Sequence, residues 1–171
     1  MKNVVWLLTL ALLVAGIAKS AAQTEIKDPG TQVSLVAPDG WIGLSRSGFV
    51  SIRQEEADGR PRYLAMVLVE DLVGQRVRID QYKRIVYEAH YEQYGAPERW
   101  VQRDTTFSGL PAYVVDFSYP YGGDGEQIHV RRIVAFKDRV AYIISAESRL
   151  EYWQELLEHF NKILASAKIP S

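Results

Sequence analysis

The chain contains no cysteine. That excludes disulfides, thiolate metal sites and the acylated cysteine that would tether a lipoprotein. It also lacks an excess of basic charge, with 20 Lys and Arg against 21 Asp and Glu, so nucleic acid is not an expected partner. The nearest thing to a basic patch, Arg131-Arg132, lies in a strand pattern that would point the two side chains to opposite faces. There is no G-x-S-x-G elbow and no phosphate-binding loop, and we find neither an internal repeat nor a low-complexity tract. The one long apolar run, Val4 to Ala18, is shorter than the roughly 20 residues a membrane-spanning helix needs. Lys2 precedes it, and the small residues Ser20-Ala21-Ala22 follow. The pattern predicts a signal peptide over residues 1–22, cleaved after Ala22, and hence a periplasmic or secreted product without stable membrane insertion. A retained anchor is the alternative.

What remains after residue 22 is enough for one domain with a hydrophobic core that needs no staple. Residues 23–31 are polar, with Asp28-Pro29-Gly30 as a turn, and read as a loosely held lead-in to a domain over 32–171. Short strands are expected at Val33–Val36 and Phe49–Arg53. A strand buried on both faces is expected at Tyr63–Val69, which reads YLAMVLV. The centre of the pattern is Leu110 to Ser148. There Ala112–Tyr119 and Gln127–Lys137 alternate with a period of two, while Val140–Ala146 is apolar on both faces. Lys137-Asp138-Arg139 leaves room only for a tight hairpin, so the last two strands should be antiparallel neighbours.

Two helices complete the pattern. Ile79, Tyr82, Val86 and Ala89 form an apolar stripe from Ile79 to Tyr94, ended by Gly95 and Pro97. A second stripe, Tyr87, Tyr91 and Tyr94, lies beside it: either these tyrosines cover the core rim with their hydroxyls in water, or they form a partner-binding surface. The last helix presents Leu150, Trp153, Leu157, Phe160 and Leu164 on one face behind a Ser148/Glu151 capping box. Glu155–His159 and Glu158–Lys162 are spaced as helical pairs.

No constellation of these residues spells out chemistry. His90, His129 and His159 lack the close spacing of a ligand set, so neither a metal nor another cofactor is expected. Ser108 before Gly109 reads as a turn, not a nucleophile. The loop from Tyr119 to Glu126 is either a plain hairpin connection or a recognition loop with Tyr119 and Tyr121 as contacts. Arg132 falls in phase with Val130 and Val134 on a strand expected to be covered. A buried arginine needs a partner, and Asp116 in the preceding strand is the candidate for a structural ion pair, unless Arg132 lies in water at a sheet edge.

Three segments carry a family resemblance: APDGW at Ala37–Trp41, SGLPAYVVDFSY at Ser108–Tyr119, and RRIVAFKDRVAYIISAES at Arg131–Ser148. The last is followed by Glu151-Tyr152-Trp153 and a helix pattern that ends near Ser166-Ala167-Lys168-Ile169. Together they resemble the PsbP-like and DcrB-like domains, which are related in fold to small nuclear-import factors that bind the GTPase Ran. The resemblance implies an α+β fold with a central antiparallel sheet flanked by helices on both faces. It supplies no shared catalytic residue. The resulting expectation is a non-enzymatic accessory or assembly domain of the bacterial envelope that binds an envelope protein. The rival is a small-molecule-binding or hydrolytic domain with a cleft between helix and sheet, lined by His129, Asp116 or Arg132.

Overall fold

The computed structural model describes residues 23–57, 59, 61–72, 78–121 and 125–170. The expected leader at 1–22 and the loop tip at 122–124 therefore lie outside the described residues. The elements are β1 (Thr24–Lys27), β2 (Ser34–Ala37), β3 (Ile42–Arg46), β4 (Phe49–Glu55), β5 (Pro61–Asp71), α1 (Ile79–Tyr94), β6 (Glu98–Phe107), β7 (Leu110–Tyr121), β8 (Glu126–Lys137), β9 (Val140–Arg149) and α2 (Trp153–Ser166). β3 to β9 form a seven-stranded sheet in the order β3-β4-β5-β9-β8-β7-β6, and β1 pairs with β2 separately. Every strand pairing is antiparallel. The described residues are thus α+β, with one large antiparallel sheet and two helices.

Local chemistry sets the hairpins. β6 and β7 close on Phe107 and Leu110, leaving Ser108-Gly109 as a two-residue turn with φ of 50° and 78°. Positive φ at both central positions is what the right-handed twist of the flanking strands demands, and it makes the Ser108 turn a structural one. Lys137 pairs with Val140 around Asp138, whose φ is 55°. This is the tight hairpin expected from the spacing.

The ladder registers sort the side chains onto two faces. On the first, Val50, Ile52, Tyr63, Ala65, Val67, Ile144 and Ala146 form a core with Trp153, Leu156, Phe160, Ile163 and Leu164 of α2. The β1–β2 hairpin helps cover this face through Val33 and Leu35. On the second face, Tyr113, Val115, Phe117, Val130, Val134 and Ala141 pack with Tyr82, Ile79 and Val86 of α1. The expected three-layer sandwich is met only loosely, because α1 covers one half of its face. Leu68 pairs with Ile143 and so shares that face, yet it is 40% exposed, and Ile42 and Leu44 are 46% and 52% exposed.

Several local expectations change. Residues 23–31 are not a loose lead-in. They form β1 and a turn centred on Asp28, which is only 1% exposed and accepts hydrogen bonds from the backbones of Gly30 (3.1 Å), Thr31 (3.0 Å) and Gly48 (2.8 Å) and from the Thr31 hydroxyl. One carboxylate thereby ties the β1–β2 connection to the β3–β4 turn. β5 is buried on its α2 side only; on the other, Leu64 and Met66 are partly exposed. The Ser148 capping box does not form, because β9 continues to Arg149 and Ser148 pairs with both Tyr63 and His129. A sheet ladder satisfies both backbone groups of a residue, which outweighs a single cap. Ser148 Oγ donates instead to the Arg149 carbonyl at 3.1 Å, and a 3-10 turn at Leu150–Tyr152 precedes α2. The Glu158–Lys162 pair is present at 2.7 Å, but Glu155 takes Arg62 at 2.7 Å, not His159.

Candidate functional site

α1 rests on the sheet through rings. Tyr82, Val86 and His90 recur at i, i+4 and i+8 and face inward, with His90 half-buried against Phe117 at 4.5 Å and Tyr119 at 5.6 Å between ring centroids. The phase of His90 with Tyr82 and Val86 is the signal in the sequence for this inward position. Among the described residues His90 Nε2 is buried without a hydrogen-bond partner. Burial, reinforced by the charge of Arg132, holds its pKa below the usual imidazole range.

The second tyrosine stripe lies on the β6 flank of α1. Tyr87 meets Trp100 of β6 edge-on at 5.0 Å and lies stacked 6.4 Å from Tyr91, while Trp100 stacks on Phe117 at 4.9 Å. Tyr94 stacks on Tyr119 at 4.4 Å with ring planes 30° apart. This last contact joins the tyrosines of α1 to those at the end of β7. Tyr87, Tyr91, Tyr94, Tyr119 and Tyr121 therefore lie along one aromatic band, and Tyr87, Tyr91 and Tyr121 are 39%, 53% and 57% exposed. Trp100, which completes the band, was not singled out because its strand otherwise reads as polar.

The proposed Asp116–Arg132 pair is not formed. Asp116 pairs with Arg131 and Val115 with Arg132 across β7 and β8, so Asp116 and Arg132 project from opposite faces. Asp116 accepts from Arg131 Nε at 2.7 Å on the α2 face, with Arg103 3.8 Å away. Arg132 lies under α1, where its Nε donates to Ser145 Oγ at 2.8 Å and its guanidinium sits 5.6 Å from the Phe117 ring centroid. The acid it influences is Glu147. Burial pushes the Glu147 carboxyl above the usual carboxylate range, and Arg132 offsets this in part.

Ser118 and His129 are the nearest approach to a catalytic pair, with Ser118 Oγ 2.8 Å from His129 Nδ1. They are 1% and 8% exposed, and Trp153 closes over the imidazole at 4.1 Å, so a substrate has no path to the hydroxyl. Burial also holds the His129 pKa below its ordinary value. His159 is exposed on α2, apart from both other histidines. Among the described residues no three His, Asp or Glu side chains gather as metal ligands would, and no helix is long and apolar enough to cross a membrane.

Two clefts open on the α1 face of the sheet. One of about 660 Å³ lies by its N-terminal end, between Ile79, Lys83, Asp104, Phe136 and Arg139. The other, about 200 Å³, lies at the end of the sheet and is lined by Arg62, Leu64, Tyr119, Tyr121, Ile128, Glu147 and Arg149, with Tyr63 and Ser148. Neither is lined by His129, Asp116 or Arg132, the residues of the rival reading.

No family model matches the chain, and no curated protein matches it by sequence. Solved structures do. Cyanobacterial PsbP (CyanoP) from Synechocystis sp. PCC 6803 aligns with a TM-score of 0.63 at 15% identity, over 93% of this chain and 99% of that one. The chain has the PsbP-like fold. LpqN of Mycobacterium tuberculosis, involved in cell envelope biogenesis, shares that fold with a TM-score of 0.58 at 17% identity, over 89% and 92% of the two chains. The Ran-binding protein Mog1p of Saccharomyces cerevisiae gives 0.53 at 11% identity, over 88% and 96%. At these identities the PsbP-like fold is what is shared.

Proposed function

We propose that this PsbP-like chain is an exported, non-enzymatic binding domain that engages another protein of the bacterial envelope through the band of Tyr87, Tyr91, Tyr94, Tyr119 and Tyr121. The supporting observation is the Tyr94–Tyr119 stack, which merges two separate tyrosine groups into one exposed surface. Tyrosine offers large contact area with two rotatable side-chain angles and a hydroxyl that tolerates water, so it costs little to expose and gains much on docking. The stacked rings are also held in place before a partner arrives, which lowers the entropic cost of association. Export rests on the leader pattern, and the envelope setting agrees with the involvement of LpqN in cell envelope biogenesis. The sealed Ser118–His129 pair argues against hydrolysis there. A photo-crosslinking side chain at Tyr91 should yield a discrete adduct in cells, whereas the same group at Lys162, on the outer face of α2, should not. Equal labelling at both positions would remove the band from consideration.

A further inference from the structure

The cleft at the end of the sheet adjoins the aromatic band through a shared wall, Tyr119, and its chemistry is specific. Glu147 forms part of its floor, in one cross-strand row with Val130 and Leu64. Among the described residues no hydrogen-bond donor reaches the Glu147 carboxylate. The two arginines of the lining are already engaged. Arg62 Nη2 holds both oxygens of Glu155 at 2.7 and 2.8 Å and its guanidinium lies 4.7 Å from the Tyr152 ring centroid. Arg149 is surrounded by Glu56, Glu126 and Glu151 at 3.4 to 3.7 Å. With both arginines so engaged, Glu147 is the lining's carboxylate that has no ion-pair partner among the described residues. The walls are the rings of Tyr119 and Tyr121 and the aliphatic side chains of Leu64 and Ile128. Among the described residues Arg62 Nε is buried without an acceptor.

Resting on the protein-binding reading above, the geometry points to this cleft as the socket for a lysine side chain of the partner polypeptide. Its ammonium would reach Glu147, and its methylenes would lie between Leu64, Ile128 and the two tyrosine rings. Aromatic faces attract a desolvated cation, and a lysine stem is apolar enough to line such walls. At about 200 Å³ the cleft is below the roughly 300–1,000 Å³ of a drug-sized ligand site, which is the scale of one side chain. A carboxylate or phosphate, by contrast, would meet Glu147 and the acids around Arg149.

The test uses the ¹⁵N-labelled protein titrated with Nα-acetyl-lysine methylamide and, separately, with its Nε-acetylated analogue. Saturable shifts are expected at the amides of Leu64, Tyr119, Ile128 and Glu147 with the cationic probe, and binding at least fivefold weaker with the neutral one. Glu147→Gln should weaken the cationic probe at least fivefold, and the exposed Tyr121→Ala, which leaves the core untouched, should weaken it less. Equal binding of the two probes, or no localised shift with either, would overturn the socket. Because no partner protein enters this titration, its failure leaves the Tyr91 crosslinking result standing, and a failed crosslink leaves the socket standing.

Discussion

The two faces of the sheet are covered by helices of similar length that bury very different amounts. α2, 14 residues long, buries Trp153, Leu156, Phe160, Ile163 and Leu164. α1, with 16 residues, buries Tyr82 alone. Beneath α2, Arg131 pairs with Asp116 and Ser118 with His129, while among the described residues Tyr63 Oη is buried there without a partner. Beneath α1 the interface is built of ring edges and contains the unpartnered atoms His90 Nε2 and Tyr113 Oη. Half of the sheet on the α1 side is uncovered, with Leu68, Ile42 and Leu44 exposed. Stability is therefore concentrated on the α2 face. The α1 face carries the exposed rings and the cleft, which suits a surface selected to meet something else.

Mutation should reproduce this division. Phe160 is fully buried between Tyr63 at 4.4 Å and Trp153 at 4.3 Å, so Phe160→Ala should cost about 3–5 kcal/mol in urea unfolding. Tyr91→Ala on the opposite face should stay within about 0.5 kcal/mol. Comparable losses at the two sites would dissolve the contrast between the faces.

The Asp28 clamp extends the stable side to the β1–β2 hairpin. The Thr31 hydroxyl and the Gly48 amide hold its carboxyl down at about 2, against an ordinary 3.8. A depressed folded pKa contributes stability that is complete above the unfolded value and is lost as pH falls through the folded one. Asp28→Asn should thus lower Tm by on the order of 5 °C at pH 7, and the two melting curves should converge as pH drops from about 4 to about 2. A constant difference across that window would mean that the clamp acts through shape and not through charge.

On the α1 face the sign is reversed. The Glu147 carboxyl is raised above its ordinary 4.5 by burial, and Arg132 compensates only in part. The charged form therefore opposes folding above the folded pKa, and stability rises as pH falls through that value. Near neutral pH, Glu147→Gln should melt roughly 1–3 °C higher than the parent, with the gain disappearing below about pH 4.5 in thermal melts. A loss of stability at neutral pH would show instead that Arg132 depends on Glu147 as an ion-pair partner.

Much of the local structure was legible in the residues. α1 spans Ile79–Tyr94 as its stripe and its Gly95-Ala96-Pro97 ending require, and the Lys137–Val140 hairpin follows from its length. The pairing of charges was not legible. Alternation assigns Asp116 and Arg132 each to a phase of its own strand, but the register between strands decides which phases share a face, and here it delivers Asp116 to Arg131. Likewise Ser148 and Glu151 spell a capping box, and only the ladder with Tyr63 and His129 reveals that Ser148 belongs to β9. The two tyrosine groups were visible separately; their union depends on how α1 lies across β7.

Sequence by itself determined the type and extent of most elements, because periodicity, turn residues and helix stops act over a few neighbouring residues. Only the tertiary structure decided the strand order, the half of the sheet left bare, the partner of each arginine and the joining of Tyr94 to Tyr119. Those depend on contacts between residues far apart in the chain, which local patterns do not encode.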